Sequence, residues 1–338
     1  MPAGINTEKL VMPVNFRQED LPFYEPHFHF RLLDPALRSL RNIFYFRNGV
    51  AVKADLSVDK EFLPWTNWAD SYTKRFWSGN LLKALLRGRL NLQLKQQAII
   101  VANPFSANYF HWMTEVLPKL IFLQQQQVKG LVFFHDRYLQ DFQKATLDIL
   151  QVSYNETTAD VFFFRRCLTV SNFSEYPGYY YPEWINLVRN LLLGGLKVTP
   201  QGPPEKIYIS RQKAGRRKIG NEKEIEAVLL SNGFRIVYPE DHSFAESLAI
   251  YANAVALVSC HGAALTNMIF LRPGAKVLEL HLEAVVTDKC YFMLANACQL
   301  AYYYQPCKGM VTGDDHINAD LLVDAATLEQ NLQHMLLN

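Results

Sequence analysis

The segment VALVSCHGAALTN, residues 255–267, joins an apolar run to a turn of small and polar residues. The run predicts a buried strand over residues 255–259, and a helix is predicted over residues 264–270. Glycine and alanine let a ligand approach the backbone closely, and the N–H groups of a first helical turn attract an anionic group such as a diphosphate. Any tight strand-to-helix turn also uses glycine. This segment alone therefore leaves a binding turn and a purely structural turn both open.

Strands and helices alternate on both sides of this segment. Ser243 and Glu246 match a capping box at the start of one of the helices. Alternation of this length is typical of a parallel sheet with crossover helices, in which ligands bind beyond the carboxyl ends of the strands. The predicted strands cover residues 206–210, 234–238, 276–280 and 300–304, and the predicted helices cover residues 221–230, 244–252 and 289–297.

The first half of the chain shows a looser form of the same pattern. Residues 1–95 are rich in aromatic side chains and prolines, and we expect irregular packed structure with short strands there. After them, strands are predicted over residues 98–101, 131–134 and 161–170, and helices over residues 108–127, 137–151 and 182–196.

Length and linker composition predict two domains. A chain of 338 residues exceeds what one hydrophobic core usually supports. The segment KVTPQGPP, residues 197–204, is the best linker, since it is polar and rich in proline and glycine. We therefore place an N-terminal domain over residues 1–196 and a C-terminal domain over residues 197–318. Residues 319–338 have the pattern of an amphipathic helix.

Composition and missing motifs exclude several classes of protein. The net charge of +2 is too small for electrostatic binding of nucleic acid by the whole molecule. No transmembrane run and no signal peptide are found, so we expect a cytoplasmic protein with reduced cysteines. The fingerprints GxGxxG and GxSxG are absent. His27 and His29 have metal-ligand spacing but lie among aromatic residues, and we predict packed histidines and no metal site.

A basic loop follows the predicted strand over residues 206–210. Its sequence ISRQKAGRRKIGN contains five cations within eight positions, and the planar fork of arginine binds phosphate oxygens in bidentate fashion. A solvated basic surface is the alternative. Because this loop and the turn after residue 259 both follow strands of one predicted parallel sheet, we expect them to face the same site.

A third segment, NYFHWMTEVLPKL, covers residues 108–120 in the first half of the chain. On a helix, His111 and Glu115 are four residues apart and share a face with Asn108. These side chains either line a cleft or form a hydrogen-bonded helix surface, and their spacing does not decide between the two.

Together these three segments resemble the conserved blocks of glycosyltransferase family 61, in the same order and spacing over residues 101–280. That family includes plant β-xylosyltransferases, eukaryotic O-linked N-acetylglucosaminyltransferases and bacterial enzymes of polysaccharide biosynthesis. The resemblance implies an α/β fold of the GT-B type, with two Rossmann-like domains that face a cleft. It also implies that residues 319–338 pack back on the N-terminal domain. One departure is Cys260, where the family pattern has proline before His261.

The resemblance assigns the C-terminal domain to the nucleotide-sugar donor. The donor diphosphate is expected on the two loops, the base near Tyr238 and Glu240, and the ribose or donor sugar near Glu279. The residues expected on the diphosphate are Ser210, Arg211, Arg217 and Asn221 in the basic loop and His261, Gly262, Ala263, Ala264, Thr266 and Asn267 in the turn.

The expected activity is inverting transfer from a nucleotide-diphosphate sugar, UDP-linked in our prediction, to a hydroxyl of a glycan or glycolipid. We expect no cofactor and no obligatory metal, since the chain has no Asp-x-Asp pair. His111 and Glu115 are the predicted catalytic pair, with His111 preferred as the base, and Asn108 and Trp112 are predicted to contact the acceptor.

We interpret the protein as an enzyme of bacterial capsule or lipopolysaccharide synthesis, with membrane contact only through a lipid-linked acceptor. A non-catalytic relative that binds a nucleotide sugar or a glycan is the alternative.

Overall fold

The computed structural model describes residues 5–6, 10–59, 62–63, 74–93, 98–175, 178–199, 202–283, 288–310 and 319–337. The chain forms two compact units, each a mixture of helices and parallel-rich β-sheet. The first unit is built mainly from Arg31–Pro177, and the second from Ile5–Phe30 together with Gly178–Asn338. This confirms a mixed α/β protein with two parallel-rich sheets.

The boundary between the units differs from the predicted one at residues 197–204, of which 200 and 201 lie outside the described residues. The chain crosses from one unit to the other near residue 177, and an N-terminal segment joins the second unit. The amide of Asn15 donates to the backbone carbonyl of Tyr304 at 2.7 Å, and the ammonium of Lys289 lies 4.3 Å from the ring centroid of Tyr24. Local composition cannot predict such contacts, because they join residues up to about 290 positions apart in the sequence.

The first unit contains one seven-stranded sheet. Its strand order is β4-β3-β9-β6-β7-β8, with β5 also pairing with β9. β3 runs antiparallel to its neighbours, and β5 to β9 are parallel where they pair. After the short strands β1 (Ile5–Asn6) and β2 (Phe30–Arg31), the strands of the sheet are β3 (Leu37–Phe46), β4 (Ala51–Lys53), β5 (Leu90–Gln93), β6 (Ala98–Ile99), β7 (Leu131–His135), β8 (Tyr154–Thr157) and β9 (Val161–Val170).

Aromatic packing organises the core of the first unit. β3 is ten residues long and pairs along its length with β9, which is longer than the short strands predicted for this part of the chain. Phe162 and Phe164 stack, and Phe133 contacts both rings edge-on. Helices Lys74–Leu86 and Asp141–Ile149 belong to this unit, as does a helical stretch over residues 109–125.

The second unit contains a six-stranded sheet in the order β11-β10-β12-β13-β14-β15. The first five of these strands are parallel, as the alternation predicted, and β15 is antiparallel to β14. The strands are β10 (Glu205–Ile209), β11 (Phe234–Val237), β12 (Ala254–Cys260), β13 (Lys276–Leu282), β14 (Ala301–Met310) and β15 (Asp320–Leu322).

The helices of the second unit begin and end close to their predicted positions. The capping box is confirmed, because Ser243 accepts from the N–H of Glu246 and Glu246 accepts in return from the N–H of Ser243. The segment predicted as an α-helix over residues 264–270 is a 3-10 helix, Ala263–Phe270. Besides the short α-helix Leu21–Tyr24, the α-helices of this unit in the described residues are Pro182–Gly195, Glu222–Ser231, Phe244–Asn253, Cys290–Ala297 and Ala325–Leu337.

The last helix packs in the core of the second unit, and its predicted contact with the N-terminal domain stays a prediction. Leu328, Leu332 and Met335 are fully buried in the core of the second unit, in one cluster with Leu278 and Tyr303. β15 pairs with β14 and so carries the chain back along the edge of the second sheet immediately before this helix begins. Across the described parts of the chain, no helix is both long and apolar enough to cross a membrane.

Leu332→Ala is predicted to lower the free energy of unfolding by about 2–5 kcal/mol, because it removes buried methyl groups and leaves a cavity. Leu337→Ala is the matched control, since that side chain is 87% exposed, and it should change the free energy little. Urea unfolding measures both. Equal effects of the two substitutions would show that the last helix does not belong to this core.

Candidate functional site

The turn after β12 and the basic loop after β10 meet at one glycine. A Cβ atom placed on Gly262 would lie 2.6 Å from Nη1 and 3.0 Å from Cζ of Arg211, so a side chain there would displace that guanidinium from its present position. The backbone φ of Gly262 is +153°, which also favours glycine. The structure therefore brings the two predicted loops together in the second unit. Ala263 and Ala264 begin the 3-10 helix directly after this contact.

Arg211 shapes the basic loop as well as lying against the turn. Its Nε donates to the carbonyl of Arg217 at 3.3 Å, and its Nη2 donates to the carbonyl of Arg216 at 3.1 Å. Arg217 has a positive φ of 56°, an uncommon conformation for a residue other than glycine. Burial lowers the pKa of Arg217, and the nearby charges of Arg216 and Arg211 lower it further. Three guanidiniums are thus crowded together, an arrangement that an anion stabilises.

His261 lies between two carboxylates. Its Nδ1 is 2.5 Å from Oε1 of Glu279, and its Nε2 is 3.5 Å from Oδ2 of Asp288. Burial opposes a charge on the ring, but the two carboxylates outweigh burial and raise the pKa of His261 to about 9. The imidazole is therefore a cation at neutral pH, beside the arginine-rich loop.

Glu279 holds His261 from inside the sheet. It is 2% exposed, and the hydroxyl of Tyr302 donates to its second carboxylate oxygen. Burial would raise the pKa of Glu279, yet the charge of His261 and the hydrogen bonds bring it below its usual value. Both oxygens thus have partners within the protein and position His261, and the predicted contact of Glu279 with the ribose or donor sugar stays a prediction. Sequence reasoning missed Asp288 and Tyr302, which no motif marks.

Ser210 and Asn221, both predicted to contact the diphosphate, hold the loop in place. The hydroxyl of Ser210 donates to Oε1 of Glu222 at 2.6 Å, and Tyr208 donates to the same carboxylate. The amide of Asn221 donates to the carbonyl of Val323 at 2.8 Å and accepts from the N–H of that residue at 3.1 Å. These contacts fix the two ends of the basic loop and commit the side chains to the protein itself.

The remaining residues predicted to bind the nucleotide-sugar donor lie around the same edge of the sheet. Thr266 and Asn267 are buried, and the amide of Asn267 donates to the carbonyl of Ala264 at 3.0 Å. Tyr238 donates to Oε1 of Glu226 at 2.7 Å and lies under the ammonium of Lys213. Glu240 is exposed to solvent.

In the first unit, His111 and Glu115 form a hydrogen-bonded pair. Nδ1 of His111 lies 2.6 Å from Oε1 of Glu115, and the amide of Asn103 donates to Oε2 at 2.9 Å. Burial would raise the pKa of Glu115, but His111 and these hydrogen bonds lower it below its usual value. An ionised carboxylate only accepts hydrogen bonds, so Nδ1 of His111 carries a proton that it donates to Glu115.

The helix that carries this pair contains a π-helical turn, Trp112–Val116, of the kind often found at functional sites. Trp112 was predicted to contact the acceptor, but it is fully buried and its indole N–H donates to Thr146 at 2.9 Å. Asn108, the other predicted acceptor contact, caps the helix by accepting from the N–H of Phe110 at 2.8 Å. Both side chains therefore hold the helix that presents His111.

A metal ion has one candidate position among the described residues. The ligand atoms of His261, Asp288 and Cys290 all lie within 4.8 Å of one another. Zinc accepts all three ligand types but usually takes four ligands. His27, considered above, pairs with the hydroxyl of Tyr179 at 3.0 Å. The predicted metal independence therefore stays a prediction.

The two loops and the His111 pair lie within the part of the chain that matches known proteins. Residues 109–278, half of the chain, match the family described as Glycosyltransferase 61. The protein is a glycosyltransferase, and it belongs to glycosyltransferase family 61.

Similarity to individual curated proteins is partial. The chain is 37% identical over 94 residues to protein O-linked-mannose beta-1,4-N-acetylglucosaminyltransferase 2 of Xenopus tropicalis, which covers 26% of this chain and 16% of the relative. The proteins of the same name from Bos taurus and Homo sapiens are 36% identical over 105 residues and 37% identical over 99 residues. Those matches cover 29% and 28% of this chain and 18% and 17% of the relatives. The chain thus spans less than a fifth of their length.

The charge on His261 predicts a pH dependence of stability. A histidine whose folded pKa is raised above about 6.5 contributes stability that is complete below that pH and is lost as pH rises through about 9. Glu279→Gln should remove most of this loss, because it deletes the buried partner charge. Unfolding free energies measured from pH 6 to 10 test this, with Glu240→Gln on an exposed carboxylate as the control. The same decline in wild type and Glu279→Gln would contradict the assignment.

Proposed function

We propose that the protein transfers a sugar from a nucleoside-diphosphate donor, UDP-linked in the first instance, to a hydroxyl of a glycan, with inversion and without a divalent metal. The observation that carries the proposal is the contact of Arg211 with Gly262, which joins the cationic loop to the turn that begins the 3-10 helix. Nucleotide-sugar transfer needs positive charge at the departing diphosphate, and this contact places such charge beside backbone N–H groups.

Two guanidiniums can neutralise the leaving group. Arg211 and Arg217 lie in the loop beside the turn, and guanidiniums bind phosphate oxygens through charge-assisted hydrogen bonds. His261 lies beside them, but Glu279 and Asp288 already balance its charge. Burial and the neighbouring arginines lower the pKa of Arg217, and a bound diphosphate would offset the part that comes from repulsion. In this proposal Ser210, Asn221 and Glu279 position the site, while Ala263, Ala264, Thr266 and Asn267 line its turn.

The base of the proposed reaction is His111. The acceptor oxygen attacks the anomeric carbon on the face opposite the diphosphate, the bond from that carbon to the diphosphate oxygen breaks, and the acceptor proton passes to Nε2 of His111. Glu115 then stabilises the imidazolium through Nδ1–H, as a buried carboxylate does in hydrolase triads. Asn103 fixes Glu115 from its other oxygen.

We assign the donor to the second unit and the acceptor and base to the first, as in the GT-B arrangement that the family resemblance implies. The relatives are named for transfer of N-acetylglucosamine to O-linked mannose, so UDP-N-acetylglucosamine is the first donor to test. We propose that the product is a bacterial surface polysaccharide and that the transfer takes place in the cytoplasm. Binding of donor without turnover would instead support the non-catalytic alternative.

UDP is predicted to bind in excess EDTA, since the arginines of the basic loop supply the positive charge. Arg217→Gln should weaken UDP about ten- to a hundred-fold, because one charge-assisted contact contributes about 1.5–3 kcal/mol. Lys213→Ala is the control, since this exposed ammonium pairs with Asp241, and it should bind UDP like the wild type. Isothermal calorimetry measures all three proteins.

Two outcomes of that calorimetry would count against the site. Affinity that is lost in EDTA and restored by manganese would exclude metal independence, and would point to His261, Asp288 and Cys290 as ligands. Equal weakening by Arg217→Gln and Lys213→Ala would reduce the loop to a solvated basic surface. Arg211→Ala is less informative, because Arg211 also holds the backbone of residues 216 and 217.

His111→Ala is predicted to lower the transfer rate about 10²–10⁴-fold with UDP affinity unchanged, as expected for loss of a general base. Glu115→Gln should cost less, because a glutamine still accepts a hydrogen bond from Nδ1. Rates of UDP release in the presence of acceptor provide the measurement. Turnover within a few-fold of wild type in His111→Ala would place the base elsewhere and leave this helix a structural role.

A further inference from the structure

A cavity of about 210 Å³ lies in the first unit, between the loop after β3 and the helix Lys74–Leu86. Pockets for drug-sized ligands usually measure about 300–1,000 Å³, so this one suits a single sugar residue or a phosphate group and is too small for a nucleotide. None of its lining residues belongs to the site described above.

The cavity carries an excess of positive charge. Arg47, Lys83, Arg87 and Arg137 line it from three segments of the chain, with Lys83 and Arg87 four residues apart on one of them, against the single carboxylate of Asp160. Asp160 is 9% exposed and already pairs with Arg47 at 3.3 Å. One carboxylate leaves the lining with a net positive charge. The four cationic side chains are exposed, so an anionic group that enters the cavity would meet them directly.

The neighbouring His135 shows the same positive field. Burial lowers the pKa of His135, Asp136 acts in the opposite direction, and the charges of Arg137 and Arg47 lower it further. Guanidiniums bind carboxylates and phosphates through two parallel hydrogen bonds, which gives the cavity a preference for these groups over a simple halide ion.

Two uncharged groups in the lining suit the hydroxyls and the apolar face of a sugar ring. Asn48 lines the cavity, and its Oδ1 is shielded from solvent with no hydrogen-bond partner among the described residues. A rotation of this amide toward the cavity would give that unused acceptor to a sugar hydroxyl. The ring of Phe76 is 40% exposed and provides an apolar face beside the cations. An apolar face next to polar groups is the usual composition of a small-molecule site.

The cavity wall continues to the predicted base. A Cβ atom on Gly49, the residue after Asn48, would lie 2.5 Å from the carbonyl carbon of Asn103, so the two backbones are in contact. Asn103 in turn donates to Glu115, the partner of His111. A ligand that contacts Asn48 is therefore linked to His111, the residue proposed to activate the acceptor. The link runs through Gly49, Asn103 and Glu115.

We propose that this cavity binds a sugar residue that carries a carboxylate or phosphate, with the arginines on the anionic group and Asn48 on a hydroxyl. The ligand is a charged residue of the acceptor glycan. Only this last assignment, as acceptor, rests on the proposed function. Binding of the charged sugar is a property of the first unit that does not need donor or turnover.

Binding is tested by NMR titration of the full chain at low salt with glucuronic acid, glucose 6-phosphate, glucose and inorganic phosphate. Both charged sugars should bind at least tenfold more tightly than glucose, and Arg87→Ala and Arg137→Ala should each weaken them about tenfold. The control is Arg41→Ala, an exposed arginine on β3 outside the cavity, which should leave affinity unchanged. The pKa of His135 should rise when a charged sugar binds.

Equal affinity for glucose and the charged sugars would overturn the proposal, as would equal effects of Arg87→Ala and Arg41→Ala. Inorganic phosphate that binds as tightly as glucose 6-phosphate would show a site for a bare anion and exclude the sugar. Because no donor is present, these results stand whether or not transfer is observed. Transfer to a charged acceptor with an unchanged KM in Arg87→Ala would remove the acceptor role alone.

Discussion

The proposed donor site depends on the contact between the guanidinium of Arg211 and the backbone of Gly262. A side chain at position 262 would displace that guanidinium, and without Arg211 the carbonyls of Arg216 and Arg217 would lose their donors. One contact therefore joins two loops that are about fifty positions apart in sequence and crowds three arginines beside His261. Repulsion among these guanidiniums is a cost that a bound anion would offset.

Each unit contains a histidine whose Nδ1 meets a buried glutamate, but the surroundings give the two pairs different chemistry. His261 has a second carboxylate at Nε2, and that extra charge raises its pKa to about 9. At His111 the carboxylate of Glu115 is shared with the neutral amide of Asn103. The first arrangement fixes a positive charge, and the second orients a ring whose Nε2 can accept a proton. In the proposed reaction, positive charge favours departure of the diphosphate, and an oriented Nε2 takes the proton of the acceptor.

Sequence patterns predicted the features that depend on neighbouring residues. The parallel strands of the second unit, the capping box at Ser243 and the meeting of the two loops follow from periodicity and from the shared edge of a parallel sheet. Side-chain partners chosen by the tertiary fold could not be predicted. Ser210 contacts Glu222, the π-helical turn sends Trp112 into the core, and the N-terminal segment joins a strand near residue 304. The motif indicated where the site lies. It did not indicate which polar atoms of the site are hydrogen-bonded to other groups of the protein.

A crystal structure of the protein with UDP would test the account most directly. The account predicts the diphosphate within hydrogen-bond distance of Arg217 and of the N–H groups that begin the 3-10 helix Ala263–Phe270, with His261 within about 4 Å of a phosphate oxygen, close enough for a charge interaction. A diphosphate bound at a different edge of the sheet, or one held only by a metal ion on His261, Asp288 and Cys290, would contradict it.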